Sequence, residues 1–381
     1  MARIRIATFN VENLYSRIAY ADNMAPGENH VGLYRFDDPE ELRLARRIAE
    51  AVASDDKRQL TALALNETRA DVVCLQEVDN ANALRVFYER YLKPQIDTAA
   101  AVEKRSLRTS LRAQGRGPTG EEIGAIDRHN YFDWRQVVEG NDGRGIDVGV
   151  MSKYPIRVTS HANRTFAELG VWSAELESYR EYIGGKERSL AKSDKLFRRD
   201  CLEVDVELGQ KSVTIFVCHL KSMSQDRAKT RVMRHAESLA IRTLIERRFG
   251  PGASEAPWLV CGDFNDYVEI DGAPETDQDG NLVPHGLTPL LDPGFSVNLV
   301  ARRPADDRWT TYYAPGDLYT QIDFILASPG LARANPNAVP EIIRGGQPYR
   351  AKRYEGPRYP RIGWDRPKAS DHSPIVVELE I

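Results

Sequence analysis

The sequence predicts a layered α/β fold, and three observations carry that expectation. Apolar runs of strand length recur along the whole chain, helical stretches alternate with them, and hairpin-like pairs lie between. At 381 residues and 41% hydrophobic content, the chain can bury a large core without disulfide or metal staples. Length alone suggests two or three domains. Layered α/β folds often carry this much in one unit with insertions, so a single domain over 1–381 is the expectation.

The elements follow in order. Residues 1–6 alternate apolar and polar like a first strand, which extends over Ile4–Phe9. Pro39–Ser54 reads as an amphipathic helix with Leu42, Ala45, Ile48 and Val52 on one face. Val72–Leu75 is a buried strand ending at Gln76 and Glu77. Residues of about 94–140 look like a basic insertion, polar around Lys104–Arg116 and punctuated by Gly115, Gly117 and Pro118. Val148–Ser152 is a strand closed by Lys153-Tyr154-Pro155. Leu202–Leu208 and Val213–His219 flank the Gly209-Gln210-Lys211 turn as a hairpin. A long basic helix runs from about Gln225 to Phe249 and stops at Gly250-Pro251-Gly252. Trp258–Val260 is a buried strand, and Ile322–Leu326 and Ile375–Glu380 complete the set. Two segments, about 271–288 and 344–369, are rich in loop-forming residues.

Bulk properties exclude some classes. A net charge of −4 argues against a globally basic nucleic-acid coat but leaves room for a local basic cleft. No apolar stretch is long enough to span a bilayer, and the first residues lack an export signal. Cys74, Cys201, Cys218 and Cys261 lie in or beside expected strands without metal-type spacing, as buried reduced thiols would. A cytoplasmic protein is the expectation.

Chemistry concentrates where strands end. Gly262-Asp263-Phe264-Asn265-Asp266 follows the Trp258–Val260 run. It places a carboxylate and a carboxamide two residues apart, on one side of an extended chain. An aspartate there can take a proton from water while an amide donates to a phosphate oxygen. Gly262 lets the backbone approach a neighbour closely. Alone the motif is weak, because turns favour these residue types. Five other strand ends carry similar clusters: Asn10-Val11-Glu12-Asn13, Gln76-Glu77, His219-Leu220-Lys221-Ser222, Gln321-Ile322-Asp323 and Ser370-Asp371-His372-Ser373.

In order and wording these six blocks resemble the endonuclease/exonuclease/phosphatase superfamily, specifically its deoxyribonuclease-like, bacterial extracellular-nuclease-type branch. The resemblance implies a four-layered α/β sandwich, two mixed β-sheets face to face with helices outside. It implies Mg²⁺, with Mn²⁺ as the alternative, held by Glu77 and supported by Asn10, with Glu12 and Asp371 as further ligands. By the same resemblance Asp263 activates water and Asn265 holds the phosphate. Asp323 orients His372, which acts as cation or as base. His219, which apurinic endonucleases lack at this position, would protonate the leaving oxygen. Lys221 and Arg144 would touch substrate.

The expected activity is metal-dependent hydrolysis of phosphodiesters by in-line attack of water, with nucleic acid as first-choice substrate. The basic residues of 94–140 and 344–369, the latter interleaved with Tyr349, Tyr354, Tyr359 and Trp364, motivate that choice. A small phosphate ester, such as a lipid headgroup or nucleotide, is the alternative. A catalytically silent binding protein is the second alternative. No protein partner is inferable.

Overall fold

The computed structural model describes residues 2–14, 30–31, 34–35, 39–40, 43, 54–142, 145–183, 186–223 and 226–381. In chain order the strands of its two large sheets are β1 (Arg3–Leu14), β2 (Val72–Val78), β3 (Trp134–Val138), β4 (Asp147–Ser152), β5 (Ile156–Ser160) and β6 (Cys201–Leu208). They continue with β7 (Lys211–His219), β8 (Trp258–Asp263), β9 (Val297–Asn298), β10 (Asp323–Ala327), β11 (Glu341–Ile342) and β12 (Ile375–Glu380). The longer helices are α1 (Asp55–Thr68), α2 (Ala81–Phe87), α3 (Lys93–Ala113), α4 (Gly120–Asn130) and α5 (Arg227–Phe249).

One six-stranded sheet runs β11-β12-β1-β2-β4-β3, the other β9-β10-β8-β7-β6-β5. Both are mixed. β1 is parallel to β2 and antiparallel to β12, while β7 is parallel to β8 and antiparallel to β6.

Side-chain parity explains how the sheets stack. Along β1, Ile4 and Ile6 face the second sheet, as do Val72 and Cys74 of β2. They meet Val213, Ile215 and Val217 of β7, Leu259 and Cys261 of β8, and Ile325 of β10 in one buried cluster. The alternate residues look outward. Phe9 and Leu75 pack beneath Leu60, Leu65, Leu84 and Phe87 from α1 and α2. Phe216 and Val260 pack beneath Met233, Ile241 and Ile245 of α5. The result is four layers, helix–sheet–sheet–helix. Each buried aliphatic side chain contributes about 1.5–3 kcal/mol, so a one-residue slip of any inner strand is strongly disfavoured.

Several boundaries differ from the sequence expectation. β1 runs on through Leu14, so Asn10 and Glu12 lie within a strand rather than after one. The 94–140 region is not simply a polar insertion. It holds α3, α4 and the sheet-edge strand β3, because α3 buries Ile96, Ala100 and Leu111 at helical spacing. Most of the helix expected over 39–54 lies outside the described residues. Helix α1 went unforeseen although its start is signalled: the Ser54 hydroxyl accepts from Lys57 N at 3.2 Å, and Asp55 and Asp56 fill the first turn. All four cysteines are buried and free, as expected. Among the described residues no helix is long and apolar enough to cross a membrane.

Gly262 has φ 142°, and a Cβ there would sit 1.8 Å from the Cys218 carbonyl oxygen on β7. The close neighbour implied by the sequence is therefore the adjacent strand. Gly262→Ala is expected to cost about 3 kcal/mol or more. A urea titration showing less than about 1 kcal/mol would contradict this account of the β7–β8 approach.

Candidate active site

The inner-facing rows of the second sheet end in polar residues. His219 is the register partner of Asp263, and Asp263 that of Asp323, so β7, β8 and β10 deliver three titratable groups in one row. Parity puts them on the face that carries Val217, Cys261 and Ile325, at the end of the apolar core. From the first sheet, Asn10 continues the Ile4–Ile6 row and donates from Nδ2 to Asp263 Oδ2 at 3.0 Å. That bond joins the two sheets.

Asp263 Oδ2 is the hub. Asn265 Nδ2 donates to it at 3.2 Å, His219 Nε2 lies 3.5 Å away and His372 Nε2 3.7 Å away. The other oxygen, Oδ1, accepts Asn265 N at 2.8 Å. Burial pushes the Asp263 carboxyl up to about 7; the His372 charge works against that rise, and Asp323 adds to it. A carboxylate near 7 is matched to taking a proton from water at neutral pH.

His372 is held from behind by Asp323, whose Oδ2 lies 2.8 Å from Nδ1. This assigns the Nδ1 proton to the Asp323 bond and turns Nε2 toward Asp263. Burial alone would lower the imidazole pKa. The carboxylates of Asp323, Asp263 and Asp371 overcome it and hold the value well above 6.5. Asp263, Asp323 and His372 also offer ligand atoms all within 4.8 Å of one another, a candidate acidic metal cluster.

A second group of carboxylates lies on the β1–β2 side. Glu77 sits where the β2 register shifts between Gln76 and Val78, with a left-handed φ of 65°. The bulge re-aims its side chain. Oε2 accepts Asn13 N at 2.9 Å, and Oε1 is 3.9 Å from His219 Nε2. Glu12 and Asn13 are left-handed too, at φ 49° and 61°. Lys57, reaching in from α1, ties this turn down by donating to Glu12 O at 2.6 Å and to Val11 O. Burial lowers the Lys57 ammonium to about 8, opposed by Glu12, Asp371 and Glu77 in that order. All three carboxylates act on this buried cation through charge.

Glu77, Glu12 and Asp371 offer oxygen donors of the kind a hard divalent ion takes, and Glu12 Oε2 is buried without a hydrogen-bond partner among the described residues. Glu12 Oε1 is taken by Arg366 Nη2 at 2.6 Å, with Lys368 Nζ at 3.8 Å. Asp371 Oδ1 is 3.9 Å from His372 Nε2.

Helix α5 anchors the loops that present these groups. Asp266, directly after Asn265, accepts Arg227 Nε at 2.7 Å, Arg234 Nε at 2.9 Å and Gly286 N at 2.7 Å. Glu237 accepts Lys221 N at 2.6 Å, while Arg234 Nη1 reaches Lys221 O at 3.3 Å. The sequence pattern favours a solvated face for Arg227, Arg231 and Arg234. Instead Arg234 is fully buried, because Asp266 needs a charge partner once it leaves water. No periodicity reveals that pairing.

Of the expected site residues, Asn10, Asp263, Asn265, His219, Asp323 and His372 meet around Asp263 Oδ2, and Glu77, Glu12 and Asp371 gather beside them. Lys221 is not a solvated surface lysine. Its Nζ lies 3.9 Å from buried Glu181, and burial lowers its pKa against the pull of that carboxylate. Arg144 lies outside the described residues. Several cations of the 344–369 segment pair with protein carboxylates, Arg344 while buried with Asp307, Arg353 with Asp271 and Arg361 at the surface with Asp56. Lys104 and Arg116 of the 94–140 region likewise pair with Asp127 and Glu122.

Residues 7–372 match the endonuclease/exonuclease/phosphatase family. No curated protein matches the chain. The crystal structure of SmcL is similar over 99% of this chain and 99% of its own, at 15% identity and a TM-score of 0.50, a likeness of fold. An endonuclease/exonuclease/phosphatase family protein from Leptotrichia buccalis is similar over 99% and 100%, at 14% identity and a TM-score of 0.47. Truncated TDP2 from Caenorhabditis elegans is similar over 100% and 98%, at 12% identity and a TM-score of 0.45.

The His372–Asp323 pair has a measurable signature. A folded pKa above the unfolded 6.5 stabilises fully below pH 6.5, and the contribution is lost as pH rises through the folded value. Asp323→Asn is therefore expected to lower the His372 pKa, read by NMR of the imidazole. It should destabilise the protein by about 3 kcal/mol near pH 6 and by less at alkaline pH. An unmoved titration, or a stability gap that widens with pH, would contradict the pairing.

Proposed function

This chain belongs to the endonuclease/exonuclease/phosphatase family, whose members are hydrolases acting on phosphoester bonds, and on that premise we propose a metal-dependent phosphodiesterase with nucleic acid as its first substrate class. The observation that carries the reading is the convergence of Asn10, Asn265, His219 and His372 on Asp263 Oδ2, with Glu77 Oε1 3.9 Å from His219 and Asp371 Oδ1 3.9 Å from His372. Residues 1–381 are read as one domain of this family.

Each side chain has a task that its surroundings suit. Asp263 takes the proton of the attacking water, and its carboxyl near 7 matches that work. Asn10 and Asn265 fix the orientation of the Asp263 carboxylate, and Asn265 can turn its amide to a phosphate oxygen. His372, held cationic by Asp323, donates from Nε2 to the charge that grows on phosphorus-bound oxygen. His219, between Glu77 and Asp263, is placed to protonate the leaving oxygen. Lys221 supplies a point charge for phosphate at the end of the same strand. Glu77, with Asn10, Asp371 and Glu12, would hold the ion. When bound, Mg²⁺ or Mn²⁺ supplies positive charge for the phosphoryl oxygens.

The pairing of Arg344, Arg353 and Arg361 with protein carboxylates favours one second reading, a small phosphate ester that needs fewer free cations.

Hydrolysis of plasmid DNA, structured RNA, bis-p-nitrophenyl phosphate, a phosphomonoester and sphingomyelin under Mg²⁺ or Mn²⁺ tests the choice. Turnover of polynucleotide and diester is expected, abolished by EDTA and reduced about 10²- to 10⁴-fold in His372→Ala. Turnover of the monoester or the lipid alone would move the function to the second reading. No turnover of any substrate would favour a silent binder.

A further inference from the structure

Among the described residues seven large apolar side chains stay exposed, and three of them lie together. Tyr313 is 58% exposed, Tyr349 50% and Trp364 58%. Tyr349 N donates to Gly363 O at 3.0 Å and Arg350 N to Trp364 O at 2.9 Å, so the 349–350 and 363–364 segments run side by side. Arg350 Nη2 reaches Ala314 O, next to Tyr313. Lys352 Nζ hangs 6.0 Å from the Trp364 ring centroid. Apolar burial does not account for Trp364: its ring faces outward from a segment that is itself well fixed.

Two residues further on, the same segment turns inward. Gly363 N bonds Pro367 O at 2.9 Å, and a Cβ on Gly363 would stand 1.9 Å from Arg366 O, so the turn closes too tightly for any other residue. Arg366 Nη2 and Lys368 Nζ then point to Glu12 Oε1, at 2.6 and 3.8 Å, on the metal side of the candidate site. Among the described residues Glu12 is the one partner of the Arg366 guanidinium, which leaves most of its five N–H donors for another oxygen-rich ligand. One short turn therefore offers an exposed aromatic ring and two cations, Arg366 at most about 7 Å and Lys368 at most about 14 Å from Trp364 along the chain. That is the scale on which a nucleotide carries its base and its phosphate.

We propose that residues 363–368 form a nucleotide subsite at the rim of the candidate site, where Trp364 stacks one unpaired base while Arg366 and Lys368 hold the adjoining phosphate. The inference rests on the phosphodiesterase reading and narrows its substrate to a strand with unpaired bases. Bases inside a duplex have both faces occupied and cannot meet the indole. Glu12 holds Arg366 in place until phosphate arrives, and the guanidinium can keep that carboxylate while it binds. Aromatic stacking tolerates any base, so the subsite selects unpaired strand over duplex rather than one sequence over another.

The full chain in EDTA would be titrated, by fluorescence anisotropy, into a labelled single-stranded DNA and into an abasic strand of equal length and charge. The base-bearing strand is expected to bind about tenfold tighter. Trp364→Ala should bring the two affinities together and Trp364→Phe should largely keep them apart. Arg366→Ala should weaken both strands alike and lower the salt slope by about one. Trp364 is exposed and Arg366 half-buried against Glu12, so circular dichroism checks that each variant folds. Equal binding of the two strands by the wild type, binding of neither, or an unchanged preference in Trp364→Ala would each overturn the subsite. Hydrolysis of bis-p-nitrophenyl phosphate under Mg²⁺ is read separately. Its absence would sink the phosphodiesterase reading whatever the strand preference shows. Turnover without strand preference would sink the subsite alone.

Discussion

One carboxylate oxygen organises this molecule. Asp263 Oδ2 is buried at the end of a central strand, where an unpartnered negative charge would cost several kcal/mol. Its partners come from four separate strands or loops: Asn10 on β1, His219 on β7, Asn265 just past β8 and His372 just before β12. The Asn10 bond spans the two sheets, so the facing of the sheets and the charge state of Asp263 are one problem. The apolar rows beneath solve the first part. Ile4, Ile6, Val217, Cys261 and Ile325 fill the space between the sheets and leave the polar ends of the same rows facing one another.

Strain collects at the same place. Of the eight non-glycine residues with positive φ among those described, Glu12, Asn13, Glu77 and Asn265 lie at the candidate site. Each is tethered: Glu12 and its neighbour Val11 by Lys57, Asn13 and Glu77 to each other, and Asn265 through Asp263 and Leu220. Lys57 is notable because an ammonium is seldom fully buried without carboxylates around it. Here it holds the backbone of β1 and offsets the mutual repulsion of Glu12, Glu77 and Asp371. The long helix does comparable work from the other side. Arg234 and Glu237 pin the loops after β8 and β7 through Asp266 and Lys221.

Much of the architecture is legible in the chain. Strand starts and the long basic helix fall within a few residues of expectation, because period-2 and period-3.6 apolar patterns report burial directly. The misses have specific causes. Helix α1 follows Ser54 without a strong apolar stripe, although Ser-Asp-Asp is a start signal. Strand β3, at a sheet edge, exposes Trp134, Arg135 and Gln136, so its sequence looks like loop. The charges of 94–140 and 344–369 read as open basic surface. Arg344, Arg353 and Arg361 instead pair with acids 37, 82 and 305 residues away, which no local pattern can reveal.

By itself the sequence determined that polar clusters holding Asn10, His219, Asp263 and Asp323 stand where apolar strand-length runs stop, since such runs report burial directly. Resemblance to the family then singled those residues out. Only the tertiary structure decided what those residues do to one another. The register of β7, β8 and β10 set three titratable groups abreast, and burial raised the Asp263 carboxyl to about 7. Left-handed turns re-aimed Glu12 and Glu77, and charge pairing drew Arg234 and Lys57 out of water. Such outcomes depend on distances between segments far apart in the chain and on the loss of solvent around them, and neither quantity is written in local sequence.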